Sequence, residues 1–136
     1  MAKSFTKLIY GDLSYKINGV LFVVHNELGR YCNEKQYADA IEQKLKGLKI
    51  GYKREAIVPP SFLGEARGRN RVDFVIDDKI ILEIKSKRAL GKEDYYQLRR
   101  YLEAFNKKLG ILVNFRQKFL RPKRVLNSLV KNYEFE

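Results

Sequence analysis

The sequence contains one cysteine and one histidine among 136 residues. A single cysteine excludes a disulfide within the chain and suits a reducing cytoplasm, so we predict a cytoplasmic location. The same scarcity excludes an intrachain zinc site of the Cys/His type. No apolar run is long enough to span a bilayer, and the first residues lack the apolar block of a signal peptide. We therefore expect no membrane segment.

Positive charge is in excess and unevenly distributed. The chain has 28 Lys and Arg residues against 16 acidic residues, a net charge of +12, and no acid lies between Glu103 and Glu134. Such an excess predicts attraction to polyanions, nucleic acid first and an anionic membrane surface second. The simpler alternative is a solvated surface. The candidate nucleic-acid-binding residues are Arg67, Arg69, Arg71, Arg121, Lys123 and Arg124.

Hydrophobic periodicity predicts a single α/β domain over residues 1–136, with a basic segment from about residue 116. The predicted helices cover residues 14–28, 34–45 and 92–105. The predicted strands cover residues 52–58, 71–76, 80–85 and 109–115. Beyond Pro122 a further short helix is expected, carried by Val125, Leu126, Leu129 and Val130. This order predicts a central mixed sheet flanked by helices.

The strands at 71–76 and 80–85 each carry one acidic residue. If residues 77–79 form the turn of a hairpin, Val75 faces Ile81 and Asp73 faces Glu83. Directly opposite side chains lie about 5 Å apart, and like charges at that distance destabilise a sheet. A divalent cation between the two carboxylates would explain their presence. This interpretation depends on an odd-length turn, because a slip of one residue would separate them.

Hydrolysis of a phosphodiester requires a cation, an activated water and charge stabilisation at the phosphate. Oxygen ligands suit Mg²⁺ or Mn²⁺, and Asp73, Glu83 and the backbone carbonyl of Ile84 are the predicted ligands. Lys85 shares a strand face with Glu83 and is predicted to act on the attacking water or on a phosphoryl oxygen. The spacing of Glu34 places it on the buried stripe of its helix, within reach of the cation. Gln97 would orient a water or phosphate from the neighbouring helix.

Each of these residues also has a purely structural interpretation. Glu83 and Lys85 would form an ion pair on a wet sheet face, or Asp73 would pair with Arg71 or Lys85. Glu34 would be an ordinary acid of a first helical turn, and Gln97 a solvated helix residue. For His25 and Cys32 the structural interpretation is preferred.

Asp73 followed by Glu83-Ile84-Lys85, in an αβββαβ order, resembles the PD-(D/E)xK nuclease superfamily. More narrowly, the chain resembles the small GxxExxY proteins of that superfamily. The resemblance covers roughly residues 14–116. The matching pieces are residues 24–29, 34–37, 71–73, 82–85, 97–102 and 110–115.

The chain departs from the family pattern at two places. Tyr31 occupies the position of the glycine that gives the family its name, and Lys87 and Arg88 stand where the family often has an acid. The resemblance implies a restriction-endonuclease-like core with metal ligands Asp73 and Glu83. It also implies a catalytic Lys85, supported by Glu34 and Gln97.

The sequence therefore predicts a Mg²⁺- or Mn²⁺-dependent nuclease that acts on DNA. Its binding would be largely independent of nucleotide sequence, because phosphate contacts carry no base information. One alternative is a nucleic-acid-binding module with an idle site. Another is a small protein-interaction domain whose basic face meets an acidic protein or membrane. A homodimer is a further expectation, because cutting two strands often requires two sites.

Overall fold

A mixed five-stranded sheet forms the centre of the fold, with strands in the order β1-β2-β3-β4-β5. The computed structural model describes residues 8–127. Its elements are α1 (Gly11–Leu28), α2 (Glu34–Gly47), β1 (Tyr52–Ile57), β2 (Arg71–Ile76), β3 (Ile80–Lys85), α3 (Lys92–Phe105), β4 (Leu109–Asn114) and β5 (Lys123–Leu126). β3 and β4 are parallel, and the other neighbouring strands are antiparallel. A parallel pair requires a crossover connection, which α3 supplies.

The three predicted helices before residue 106 and the four predicted strands are confirmed, and local signals set their ends. α1 ends at Gly29, which has φ 76° and whose backbone N–H donates to His25 O. α2 begins with a capping box, in which the Asn33 side chain accepts the Gln36 N–H and the Gln36 side chain accepts the Asn33 N–H. Such reciprocal bonds satisfy two N–H groups that the helix itself leaves unpaired.

Helices cover both faces of the sheet. α1 and α2 pack on one face, where Tyr37 stacks on Phe115 with ring centroids 4.1 Å apart. α3 packs on the opposite face through Leu98, Tyr101 and Leu102. A Cβ atom at Gly110 would lie only 2.9 Å from Leu98 Cδ2, so glycine is required for α3 to approach β4 this closely.

The short helix predicted beyond Pro122 is wrong in the described part of that segment. Lys123–Leu126 instead forms β5, paired with β4 from Leu109↔Leu126 to Leu112↔Lys123. Val125 is buried against the α3 face, and strand pairing covers the edge that β4 would otherwise expose. Four residues are too few for periodicity to separate a strand from a helix. Leu129 and Val130 lie outside the described residues.

No helix within residues 8–127 combines the length and the apolar character that crossing a bilayer requires.

Candidate active site

Asp73 and Glu83 lie side by side where β2 and β3 end their pairing. The register runs through Ile76↔Ile80, Val75↔Ile81 and Phe74↔Leu82, and its next step sets Asp73 opposite Glu83. Each carboxylate accepts a backbone hydrogen bond from the other strand. Glu83 Oε1 accepts from Asp73 N at 2.9 Å, and Asp73 Oδ2 accepts from Ile84 N at 2.7 Å. The two side chains are therefore fixed across the hairpin.

Both carboxylates are largely removed from water. Glu83 is only 5% exposed, and Asp73 is half-buried. Burial, and next the charge of Asp73, raises the pKa of Glu83 to about 8. Burial also raises the pKa of Asp73 to about 6, against the bond donated by Ile84 and with a further contribution from Glu34. The pair therefore binds protons more tightly than ordinary carboxylates do.

No ion pair within residues 8–127 involves Asp73 or Glu83. The structural alternative, in which Asp73 pairs with Arg71 or Lys85, is therefore not found. The Lys85 side chain instead contacts two side chains of α3. Its Nζ donates to Gln97 Oε1 at 3.3 Å and lies 3.9 Å from Asp94 Oδ1. Gln97 and Lys85 thus meet near the two carboxylates, a contact that was not predicted from the sequence.

Glu34 lies at the same end of the sheet, but the prediction that it occupies the buried stripe of its helix is wrong. Its side chain is exposed. Glu34 Oε2 accepts from Ser86 N at 3.0 Å, directly after Lys85. Glu34 is the first residue of α2 and lies one helical turn before the buried Tyr37. Helical spacing therefore predicted the correct face of the helix for Glu34, but not that its side chain is exposed. Its negative charge nevertheless helps to raise the pKa of Asp73 and of Glu83.

Sequence reasoning missed Asp94, which is 5% exposed and anchors the basic segment after β3. It accepts from Lys87 Nζ at 2.8 Å and from Gly91 N at 2.8 Å. Burial acts to raise its pKa, but the hydrogen bonds from Lys87 and Gly91 hold the pKa of Asp94 below its ordinary value. Its place in the first turn of α3 was a signal for a capping role only.

Asn114 and Glu55 were also missed. Asn114 is buried at the end of β4, where its side chain accepts from Lys87 N and donates to Lys87 O. Glu55 interrupts β1 with a left-handed φ of 52°, between the pairs Arg54↔Phe74 and Ala56↔Val72. It lines, with Glu34 and Asp73, a cavity of about 200 Å³. A left-handed glutamate in a strand is a strained conformation that no sequence pattern announces.

The predicted nucleic-acid-binding residues divide into three groups. Arg67, Arg69 and Arg71 are exposed in and after the loop that leads into β2. Arg121 and Lys123 are exposed at β5, which β3 and β4 separate from β2. Arg124 is different, because its Nη1 donates to Ser14 Oγ at 2.8 Å and its Nη2 to Ile9 O at 2.7 Å. Its guanidinium is committed to α1 and the residues before it, which argues against a role in binding nucleic acid.

His25 and Cys32 have structural environments, as expected. His25 Nε2 lies 2.8 Å from the carbonyl oxygen of Gln117, and Cys32 is a free thiol whose Sγ is 3.7 Å from Leu28 O.

The donor set suits a hard divalent cation. Two carboxylates held together without an ion pair to lysine or arginine would be stabilised by such an ion, and oxygen is the ligand that Mg²⁺ and Mn²⁺ prefer. No cluster of three His, Cys, Asp or Glu side chains suited to a metal occurs within the described range. Mg²⁺ usually keeps several waters and needs only one or two protein carboxylates, so two carboxylates such as Asp73 and Glu83 would be enough to hold it.

Comparisons with known proteins agree with this geometry. The sequence model of the PD-(D/E)XK nuclease superfamily matches residues 11–125. A solved structure described as "Crystal structure of SSO0001" aligns with a TM-score of 0.56 at 19% sequence identity, over 95% of this chain and 71% of the other. At that identity the likeness shows a shared α/β fold. No curated protein matches the chain.

Proposed function

Because the chain belongs to the PD-(D/E)XK nuclease superfamily, we propose that it is a nuclease that hydrolyses DNA with Mg²⁺ or Mn²⁺ at Asp73 and Glu83. Membership of the GxxExxY subfamily is part of the proposal and rests on the motif pieces described above. A cytoplasmic location is also part of the proposal, and it rests on the scarcity of cysteine.

One observation carries the proposal: two facing carboxylates, Glu83 buried and Asp73 half-buried, form no ion pair within the described structure, and the nearby charge of Lys85 does not offset the effect of their burial. Such an arrangement is unfavourable on its own, since like charges are opposed and removed from water. It becomes favourable when a divalent cation is bound. A pair kept only for stability would be replaced without loss by apolar residues.

The remaining side chains support hydrolysis of a phosphodiester. A bound cation would supply Lewis-acid charge at the phosphate. The Lys85 ammonium, oriented by Gln97 and Asp94, is placed to donate a hydrogen bond to the attacking water or to a phosphoryl oxygen. The amide N–H groups of Gln97 can hold a second oxygen. The carbonyl of Ile84 is proposed as a third ligand, because the Ile84 N–H already contacts Asp73.

Glu34 is proposed to act through water, because its carboxylate is exposed and bonded to Ser86 N. Contacts to DNA phosphates are assigned to Arg67, Arg69 and Arg71, which precede Asp73 and have exposed side chains. Arg121 and Lys123 would extend this basic surface. Such contacts make affinity fall steeply with salt, with a log–log slope of about −0.9 for each phosphate neutralised on duplex DNA.

The test is cleavage of linear, branched and single-stranded DNA by purified protein with Mg²⁺ or Mn²⁺. We expect cleavage that a chelator abolishes and that Lys85→Ala reduces by about 10²-fold or more, since the lysine acts in the transition state. Lys46→Ala, an exposed lysine at the far end of α2, is the matched control and should cleave normally. Equal activity of wild type and Lys85→Ala would indicate a contaminant. Binding without cleavage by either would favour the idle binding module.

A further inference from the structure

Two arginines converge on one exposed tyrosine beside the candidate active site. The guanidinium carbon of Arg30 lies 5.3 Å from the ring centroid of Tyr31, and that of Arg116 lies 5.7 Å from it. The ring is 76% exposed. We infer that Tyr31, with Arg30 and Arg116, forms a stacking platform for an unpaired nucleotide of a single-stranded substrate. The inference rests on the proposed function and deepens it.

The arrangement of the two arginines is built into the fold. Arg30 Nε donates to the backbone carbonyl of Arg116 at 2.8 Å, which joins the segment after α1 to the segment after β4. Arg116 Nε is buried and has no hydrogen-bond partner within the described structure. A buried N–H without a partner is uncommon, and a water or a ligand oxygen would satisfy it.

No carboxylate of the described residues is paired with the arginines of this cluster. No ion pair within residues 8–127 involves Arg30 or Arg116. Arginine and tyrosine often meet on protein surfaces, but two guanidinium groups at one ring, neither of them in an ion pair within that range, repel each other. A phosphate between them would remove that repulsion, and the planar guanidinium suits phosphate recognition.

The cluster is joined to the catalytic end of the sheet. The carbonyl of Cys32, next to Tyr31, accepts from Ser86 Oγ at 3.1 Å, and Glu34 accepts from Ser86 N. Tyr31, Glu34, Ser86 and Arg116 together line an open cleft of about 450 Å³. This volume lies in the range of ligand pockets, roughly 300–1,000 Å³. A nucleotide seated there would neighbour the phosphate at the two carboxylates.

The chemistry distinguishes single strands from duplexes. The Tyr31 ring is still mostly exposed beside the two guanidinium groups, so a base can reach it. Bases of a duplex are stacked on their neighbours and cannot reach a side chain, whereas unpaired bases stack freely on aromatic rings. The platform therefore favours single strands, frayed ends or flaps.

The experiment measures binding in EDTA, where no cleavage occurs. Fluorescently labelled probes of equal length are a single-stranded oligothymidylate, the same strand made abasic, and a blunt hairpin duplex. Tyr31→Ala should weaken binding of oligothymidylate by about 5- to 150-fold, the range for one base stacked on an aromatic ring. Binding of the abasic and duplex probes should change little. Tyr31→Phe should retain affinity, and Tyr15→Ala, which removes an 81% exposed tyrosine of α1, is the matched control.

A double-mutant cycle separates stacking from charge. The loss caused by Tyr31→Ala should disappear on the abasic strand, whereas Arg30→Ala should weaken all three probes. Equal effects of Tyr31→Ala on all probes, or no effect on oligothymidylate, would overturn the platform. Cleavage assays with metal keep the two proposals apart. If the protein cleaves DNA and Tyr31→Ala has no effect on binding, the proposed nuclease is supported and the platform is refuted. If binding depends on Tyr31 but no cleavage occurs, the platform is supported and the nuclease is refuted.

Discussion

Glu83→Gln should make the metal-free protein more stable at neutral pH. Glutamine keeps the shape of Glu83, and its carbonyl oxygen can still accept the hydrogen bond from Asp73 N. The substitution removes a negative charge that is unfavourable in the folded protein because the side chain is buried and lies next to Asp73. Loss of a buried, conformationally fixed carboxylate usually destabilises a protein, so an increase in the free energy of unfolding would be diagnostic.

The magnitude follows from the pKa of Glu83, which rises from 4.5 to about 8 on folding. For a carboxyl group whose pKa is raised in the folded state, ionisation opposes folding, so stability falls as pH rises from the unfolded pKa to the folded one. Each pH unit in this window is worth about 1.4 kcal/mol. Glu83→Gln should therefore gain about 3 kcal/mol at pH 7, more at pH 8, and almost nothing below pH 4.5.

The assay is urea denaturation in EDTA at pH 5, 7 and 8, followed by circular dichroism. Glu103→Gln, an exposed carboxylate on α3, is the control and should change stability little at any of these pH values. In a parallel series without EDTA, added Mn²⁺ should stabilise the wild type and not Glu83→Gln, since only a protein that binds the ion gains from it. A loss of stability that is the same at pH 5 and pH 8 would refute the reasoning, because it would mean that the charge of Glu83 has no unfavourable effect.

Three further outcomes are expected. Asp73→Asn should abolish Mn²⁺ binding measured by calorimetry, whereas Glu34→Gln should weaken it only mildly if Glu34 acts through water; normal binding by Asp73→Asn would mean that the ligand assignment is wrong. Lys85→Arg should not restore the cleavage that Lys85→Ala loses, because a planar guanidinium does not replace a compact ammonium, and full activity of Lys85→Arg in the same assay would contradict this role. Arg124→Ala should lower the free energy of unfolding by about 2 kcal/mol or more, because it removes two charge-assisted hydrogen bonds, whereas Arg121→Ala should not; the reverse order in urea denaturation would refute the structural role of Arg124.

Much of the fold could be predicted because strong local signals coincide with its elements. The three-residue turn at 77–79 fixed the register of β2 and β3, and Asp77 and Asp78 adopt the left-handed φ values of 52° and 54° that this turn needs. That register alone brings Asp73 and Glu83 together. The common face of Glu83 and Lys85 also followed from strand alternation, whereas the contact of Lys85 with Gln97 was not predicted.

What could not be predicted depended on tertiary packing. Helical spacing gives the direction of Glu34 but not how far α2 extends beyond the sheet, so its exposure was missed. β5 was read as a helix because four residues carry too little periodicity. The commitment of Arg124 to Ser14 and Ile9 joins positions 110 and 115 residues apart, and no pattern within a short window could reveal it.

The contacts of Arg124 also bear on the order in which the chain folds. They close loops of more than one hundred residues, and contacts between such distant positions form slowly. The side chains of the candidate active site all lie between Glu34 and Gln97, so they can come together without closing a loop of that length. We therefore expect β5 to join the sheet late, after the carboxylates have been brought together. Until it does, β4 is an unpaired edge rich in apolar residues, and the newly made protein is most prone to aggregation during that interval.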